Sequence, residues 1–202
     1  MPAAILTQQQ QKVLELLAPM VREQQFYLAG GTALALMMEH RRSIDFDFFI
    51  EHSFDPSTIL NRLPYAEIRL QTHGTLTVAL ESIQTSFFEY PYPLLEPVNA
   101  AGMVPMAQIA DIAAMKVSAI AGRGSRKDFI DLYCITQRAY SLQQCLVFFS
   151  EKFKTIKVDI YHLMRSLTYF DDAEKEIMPE MLIDCRWETI KKFFISEVTK
   201  LQ

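Results

Sequence analysis

The sequence predicts an α+β fold, a mixed sheet with helices followed by a C-terminal helical lobe. Three observations carry this reading. Between Phe26 and Tyr90, short runs rich in β-branched and aromatic residues are cut by glycine, proline and serine turns; from Met106 onward the apolar spacing is helical; and the proline-rich stretch YPYPLLEP leads into a boundary near residue 105. The expected division is therefore an α/β half over residues 1–105 and an all-α half over residues 106–202.

Each element has a local reason. Thr7 to Gln24 is amphipathic, with Val13, Leu16, Leu17, Met20 and Val21 at helical spacing, and should pack on the sheet. Phe26 to Ala29 is a short apolar run of the kind that forms a buried strand, and Ala33 to His40 is rich in strong helix formers. Between them Gly30, Gly31 and Thr32 make a turn, with Thr32 placed to cap the helix; Arg41, Arg42 and Ser43 then lead into the strand SIDFDFFI. Asp55 and Pro56 start a short helix reaching about Leu63. The stretch AEIRLQTHGTLTVALESIQTSFFEY reads as two or three antiparallel strands turning at Gly74 and near Ser82. Ala107 to Ala121 is helical, with Gly122 expected as its closing glycine, and Ser125 opens the next helix with Asp128 at the capping-box position.

The chemistry concentrates at Asp45 and Asp47. Side chains alternate along an extended strand, so the two carboxylates share one face while Phe46 and Phe48 take the other. Like charges side by side repel, and a divalent cation between them removes the conflict. Mg²⁺ suits such a pair, because it takes few carboxylate oxygens and completes its shell with water and substrate phosphates. The glycine turn upstream and the helix start behind it supply bare backbone N–H groups for the same phosphates. The bland alternative is a pair of solvated acids on an edge strand. The apolar bulk around them, Ile44, Phe46, Phe48, Phe49 and Ile50, argues against it.

A second group lies in the helical half. Lys116 continues the apolar stripe of Ile109, Ile112 and Ala113, so it needs either a phosphate in a cleft or a carboxylate partner. Asp128 can be explained as a helix cap, and Asp131 as an i,i+4 partner of Lys127. Lys116, Arg123, Arg126 and Lys127 form the densest basic cluster in a chain whose net charge of −4 excludes a general nucleic-acid coat. Cys134, Cys145 and Cys185 form no metal or disulfide spacing, and His40, His52, His73 and His162 show no ligand spacing with them. With no apolar run long enough to span a bilayer and no visible secretory signal, a reduced cytoplasmic setting is expected.

Taken together, GGTALAL, HRRSIDFDFF, YPYPLLEP and DIAAMKVSAIAGRGSRKDFIDLY resemble, in that order, the AbiEii/AbiGii nucleotidyltransferase family of the DNA polymerase β-type superfamily, over roughly Phe26 to Tyr133. The resemblance implies a minimal nucleotidyltransferase fold that moves a nucleotide from an NTP with Mg²⁺, in a family that includes toxins of toxin–antitoxin and phage-defence systems. It puts Gly30, Gly31, Thr32, Ser43, Arg123 and Lys127 in the nucleotide-binding set, Asp45 and Asp47 on the metal, and Lys116, Asp128 and Asp131 in the catalytic set with them. It also implies an acceptor, open between an RNA 3′ end, a protein hydroxyl and a small-molecule hydroxyl, and an antitoxin encoded nearby. The superfamily's third carboxylate falls on Ser86, with Glu89 on the opposite face of its strand. A nucleotide-binding or partner-binding module without turnover is the alternative that this serine favours.

Overall fold

The computed structural model describes residues 5–157 and 159–201. The chain forms two compact units, one of residues up to Leu36 with Ser43–Gln108, the other of Met37–Arg42 with Ile109 onward. The short segment Met37–Arg42 thus packs with the second unit while its chain neighbours on both sides belong to the first.

The first unit is a five-stranded sheet in the order β1-β2-β5-β4-β3, built from β1 (Tyr27–Leu28), β2 (Phe46–Ile50), β3 (Glu67–Thr72), β4 (Thr75–Leu80) and β5 (Ile83–Glu89). β2 and β5 run parallel, and the other neighbours antiparallel, so the mixed sheet expected from the turns at Gly74 and Ser82 is present. Its core face carries Phe46, Phe48 and Ile50 of β2, Phe87 of β5 and Leu76 and Val78 of β4, all buried, with Phe48 stacked on Phe87 at 5.5 Å. Helix α1 (Gln8–Glu23) opens on a Thr7 capping box and buries Gln10, Val13, Leu14, Leu17, Met20 and Val21. Leu14 rather than Leu16 lies on that stripe, and Leu16 is 58% exposed, because the 3.6-residue period from Gln10 and Val13 leads to Leu14 and Leu17. Helix α2 (Gly30–Met38) begins at Gly30, two residues before Thr32, which is therefore inside the helix and not its cap. Helix α3 (Pro56–Leu60), capped by Asp55, completes the unit.

The second unit contains α4 (Ile109–Gly122), α5 (Arg126–Arg138), α6 (Leu142–Lys152), α7 (Ile160–Ser166), α8 (Asp171–Glu174) and α9 (Trp187–Leu201). Gly122 is the last residue of α4; the left-handed residue that ends the helix is Gly124, with φ +59°, whose N–H bonds the Ala119 carbonyl at 3.1 Å. Ser125 caps α5 as expected. Phe129 packs edge-on against Phe194 and Trp187, whereas Tyr161 is 75% exposed. α4 is buried on most of its circumference, which places Asp111 in the interior, where Lys152 of α6 answers it at 2.8 Å. No helix among the described residues is long and apolar enough to cross a membrane.

Candidate functional site

Strand β2 begins at Phe46, and Asp45 is the residue immediately before it. The alternation still extends through Asp45: Asp45, Asp47 and Phe49 are half-buried while Phe46, Phe48 and Ile50 are buried, so both carboxylates leave the sheet on its open side. Three residues, Ala29, Thr32 and Gln10, hold this segment. The Ala29 N–H donates to the Asp47 carbonyl at 3.0 Å, fastening the glycine turn beside the second aspartate. The Thr32 hydroxyl reaches the Asp45 carbonyl and lies 2.8 Å from Ser43 Oγ. Gln10, buried in the first turn of α1, donates through Nε2 to the carbonyls of Ser43 at 2.8 Å and Ile44 at 3.1 Å. Thr32 and Ser43, expected in the nucleotide-binding set, have their hydroxyls within reach of each other, and that of Thr32 also reaches the Asp45 carbonyl.

Gly30 has two independent reasons to be glycine. Its φ of +67° is left-handed, and a Cβ built there would sit 3.3 Å from Asp47 Oδ2. The turn thus brings bare backbone up to the carboxylate, where a side chain would crowd it. Asp45, Asp47 and the amide groups of the turn therefore fit a hard, oxygen-seeking cation with phosphate in its shell. Ser86 is the residue on which the third carboxylate's place was expected to fall. In the parallel pairing of β2 and β5 it is the direct partner of Asp47, it is 3% exposed, and its hydroxyl lies 3.2 Å from that of Thr77 on β4. Among the described residues no three histidine, cysteine or acidic side chains gather as a metal cluster, in keeping with serine at this place.

The residues of the helical half meet one another within the second unit. Lys116 Nζ lies 2.9 Å from Asp128 Oδ1 and 2.6 Å from Asp131 Oδ2, and its side chain is buried. Burial alone would lower its pKa, yet Asp131 and Asp128 outweigh this and raise it. Asp128 also receives Arg123 at 3.0 Å and Ser125 at 2.7 Å. Burial pushes its carboxyl up, but Lys116 and Arg123 bring it down to about 2. Asp131 is enclosed completely: Arg41 donates to both oxygens, at 2.7 and 2.8 Å, and His40 Nε2 to Oδ1 at 2.8 Å. Lys116 and Arg41 hold it well below the ordinary carboxylate range against the opposing effect of burial.

This is the ion-pair arrangement that the sequence left open beside triphosphate contact. Of the basic cluster, Arg123 reaches Asp128 from the surface and Arg126 bonds the Ala173 carbonyl and lies over the Trp187 ring, while Lys127 is exposed. Gln10, His40 and Arg41 were not legible as site residues. The T-x-x-Q spacing of Thr7 and Gln10 marks a helix start but not the reach to Ser43, and the partner of Arg41 is 90 residues away.

The comparisons with known proteins agree with this architecture. A family model described as the AbiEii nucleotidyl transferase toxin of a type IV toxin–antitoxin system matches residues 14–87. The Aquifex aeolicus protein aq_aa25 is 38% identical over 202 residues, 96% of each chain. Among solved structures, the nucleotidyltransferase toxin MenT4 of Mycobacterium tuberculosis superposes with a TM-score of 0.56 at 14% identity, covering 95% of this chain and 83% of that one. A candidate nucleotidyltransferase of H. pylori superposes at 0.53 with 15% identity, covering 98% and 99%. With its sheet order, glycine turn and paired aspartates, the chain belongs to the AbiEii nucleotidyltransferase family.

Proposed function

We propose that the protein is a Mg²⁺-dependent nucleotidyltransferase that moves a nucleotide from an NTP to an acceptor hydroxyl, acting as the toxin of a toxin–antitoxin pair. The observation that carries the reading is the approach of Gly30 to the Asp47 carboxylate, on the same side of the sheet as Asp45. In the proposed reaction the acceptor oxygen forms a bond to the α-phosphorus, the bond to the bridging oxygen of the β-phosphate breaks, and pyrophosphate leaves. The amide groups of the turn at Gly30 and Gly31 hold phosphate oxygens, and Asp45 and Asp47 hold the metal. Held by Asp45 and Asp47, Mg²⁺ would supply a Lewis acid that offsets the charge growing on the leaving group. Ser86 is a weak base, so the acceptor proton passes to an aspartate of the pair or to water. A cytoplasmic site and an antitoxin encoded nearby follow from the toxin role.

Calorimetry with Mg·NTP tests the site: the wild type binds, and the double variant Asp45→Asn, Asp47→Asn does not. Equal binding by both proteins removes the metal assignment. A second reading, a nucleotide- or partner-binding module without turnover, is favoured by Ser86 opposite Asp47. Release of pyrophosphate during incubation with each labelled NTP and total RNA separates the two and shows the acceptor.

A further inference from the structure

The three cysteines show no disulfide spacing along the chain, yet the second unit brings two of them together. Cys134 lies in α5 and is 1% exposed, while Cys185 is half-buried in the segment that leads into α9. That segment is tied to α5 on both sides of Cys185. Upstream, the Leu182 N–H donates to the His40 carbonyl at 3.0 Å, and the His40 ring lies 2.8 Å from the carboxylate of Asp131, one turn of α5 before Cys134. Downstream, Trp187 opens α9 with its ring edge-on to Phe129 at 5.9 Å. Phe193 packs edge-on against Tyr133, the chain neighbour of Cys134, at 5.2 Å. Between these anchors the two thiols meet and share a hydrogen bond.

The shared bond makes the two sulfurs unequal. Together with burial it pushes the Cys134 thiol up, whereas it brings the Cys185 thiol down against the opposing effect of burial. The thiolate is the reactive form, so the more exposed sulfur is the nucleophile and the buried one its resolving partner. Cys145, buried in α6, provides a contrast within the same unit, since burial pushes its thiol up to about 12. A thiol of that kind is inert.

We propose that Cys134 and Cys185 form an oxidisable pair, a modification site for hydrogen peroxide that closes as a disulfide between α5 and the entry to α9. The ionised Cys185 sulfur attacks one peroxide oxygen: the S–O bond forms, the O–O bond breaks, and the departing hydroxide takes up the proton released by the thiol, leaving a sulfenic acid and water. The Cys134 sulfur then attacks the Cys185 sulfur. The S–S bond forms, the S–O bond breaks, and the Cys134 proton leaves with the hydroxide as a second water. The two thiols supply the two electrons that reduce the peroxide. Their hydrogen bond already sets the sulfurs side by side, the first requirement for closing the bridge without moving the backbone. The bridge spans about 50 residues, a loop long enough for the cross-link to restrict the unfolded chain and stabilise the oxidised form.

The test treats the reduced full chain with a small excess of hydrogen peroxide and reads intact mass, peptide map, thiol titre and melting temperature without reductant. The expected product has lost two hydrogens and yields a linked peptide containing Cys134 and Cys185. After denaturation it titrates one thiol, where the reduced protein titrates all three. It melts higher than the reduced protein, and dithiothreitol reverses each change. Cys185→Ser should abolish the linkage and Cys145→Ser should leave it intact. Should Cys185→Ser not fold, alkylation of the reduced wild type with iodoacetamide gives a second reading, with Cys185 labelled ahead of Cys134 and Cys145. Linkage through Cys145, three thiols surviving the oxidant, or Cys185 carried on to sulfinic acid beside a reduced Cys134 overturns the proposal. Labelling of Cys134 or Cys145 ahead of Cys185 overturns it as well.

Discussion

At the scale of single residues, the most constrained position is Gly30. Alanine there would have to hold a left-handed φ of +67° with its methyl 3.3 Å from a carboxylate oxygen of Asp47. Gly30→Ala is expected to cost about 1–2 kcal/mol of stability from the backbone alone and to weaken Mg·NTP binding as Asp47 is displaced, which chemical denaturation and calorimetry together would read. Lys116 shows the opposite situation, a residue whose chemistry is consumed internally. Lys116→Ala removes a buried cation shared by Asp128 and Asp131, which keep Arg123 and Arg41, and is expected to lower unfolding free energy by about 1.5–3 kcal/mol. If the variant instead kept its stability and lost NTP affinity, a triphosphate contact would be the better account. The family motif marked Lys116 as important, but only its neighbours show why: its stripe on α4 faces two acids of α5.

At the scale of elements, the pairing of β2 with β5 governs what the site can bind. Register places Ser86 directly beside Asp47, with the Thr77 hydroxyl 3.2 Å from its oxygen. Ser86→Asp would therefore complete a carboxylate trio on one sheet face. Without metal the added charge should destabilise the protein by repulsion. Saturating Mg²⁺ should restore the melting temperature and leave the variant with a larger metal-induced rise than wild type. Equal rises in the two proteins would show that Ser86 does not face the metal. Helix α1 contributes at the same scale. It was expected to pack on the sheet, and its first turn also bonds the Ser43 and Ile44 carbonyls through Gln10. Gln10→Ala removes those bonds and half of the capping box, and should cost about 1–2 kcal/mol while lowering turnover.

At the scale of the whole molecule, the buried acids make stability depend on pH. Asp128 has a folded pKa of about 2 against an ordinary 3.8, so the folded state disfavours its protonation. The stabilisation is present above about pH 4 and is lost as pH falls toward 2, and on the order of 2 kcal/mol is at stake for this group. Asp131 is depressed in the same direction and extends the loss to lower pH. Urea unfolding at several pH values should show this fall, and Asp128→Asn should flatten it. Much of the molecule was legible in the chain itself. The turns at Gly74 and near Ser82, the alternation around Asp45 and Asp47, the Ser125 cap and the change to helical spacing near residue 105 are local patterns, set by backbone geometry over a few residues. Register could not be read this way, because the pairing of Asp47 with Ser86 depends on a parallel crossover of nearly the whole sheet. Nor could the fate of the charged residues. Nothing near His40 and Arg41 distinguishes them from solvated charges, and they become buried only because Asp131, some 90 residues later, meets them in the same unit. Local sequence determined the elements and the paired aspartates of the candidate site; which cations were left to meet a ligand was decided by long-range packing, where the cost of burying a charge can be met only by a partner that the fold brings to it.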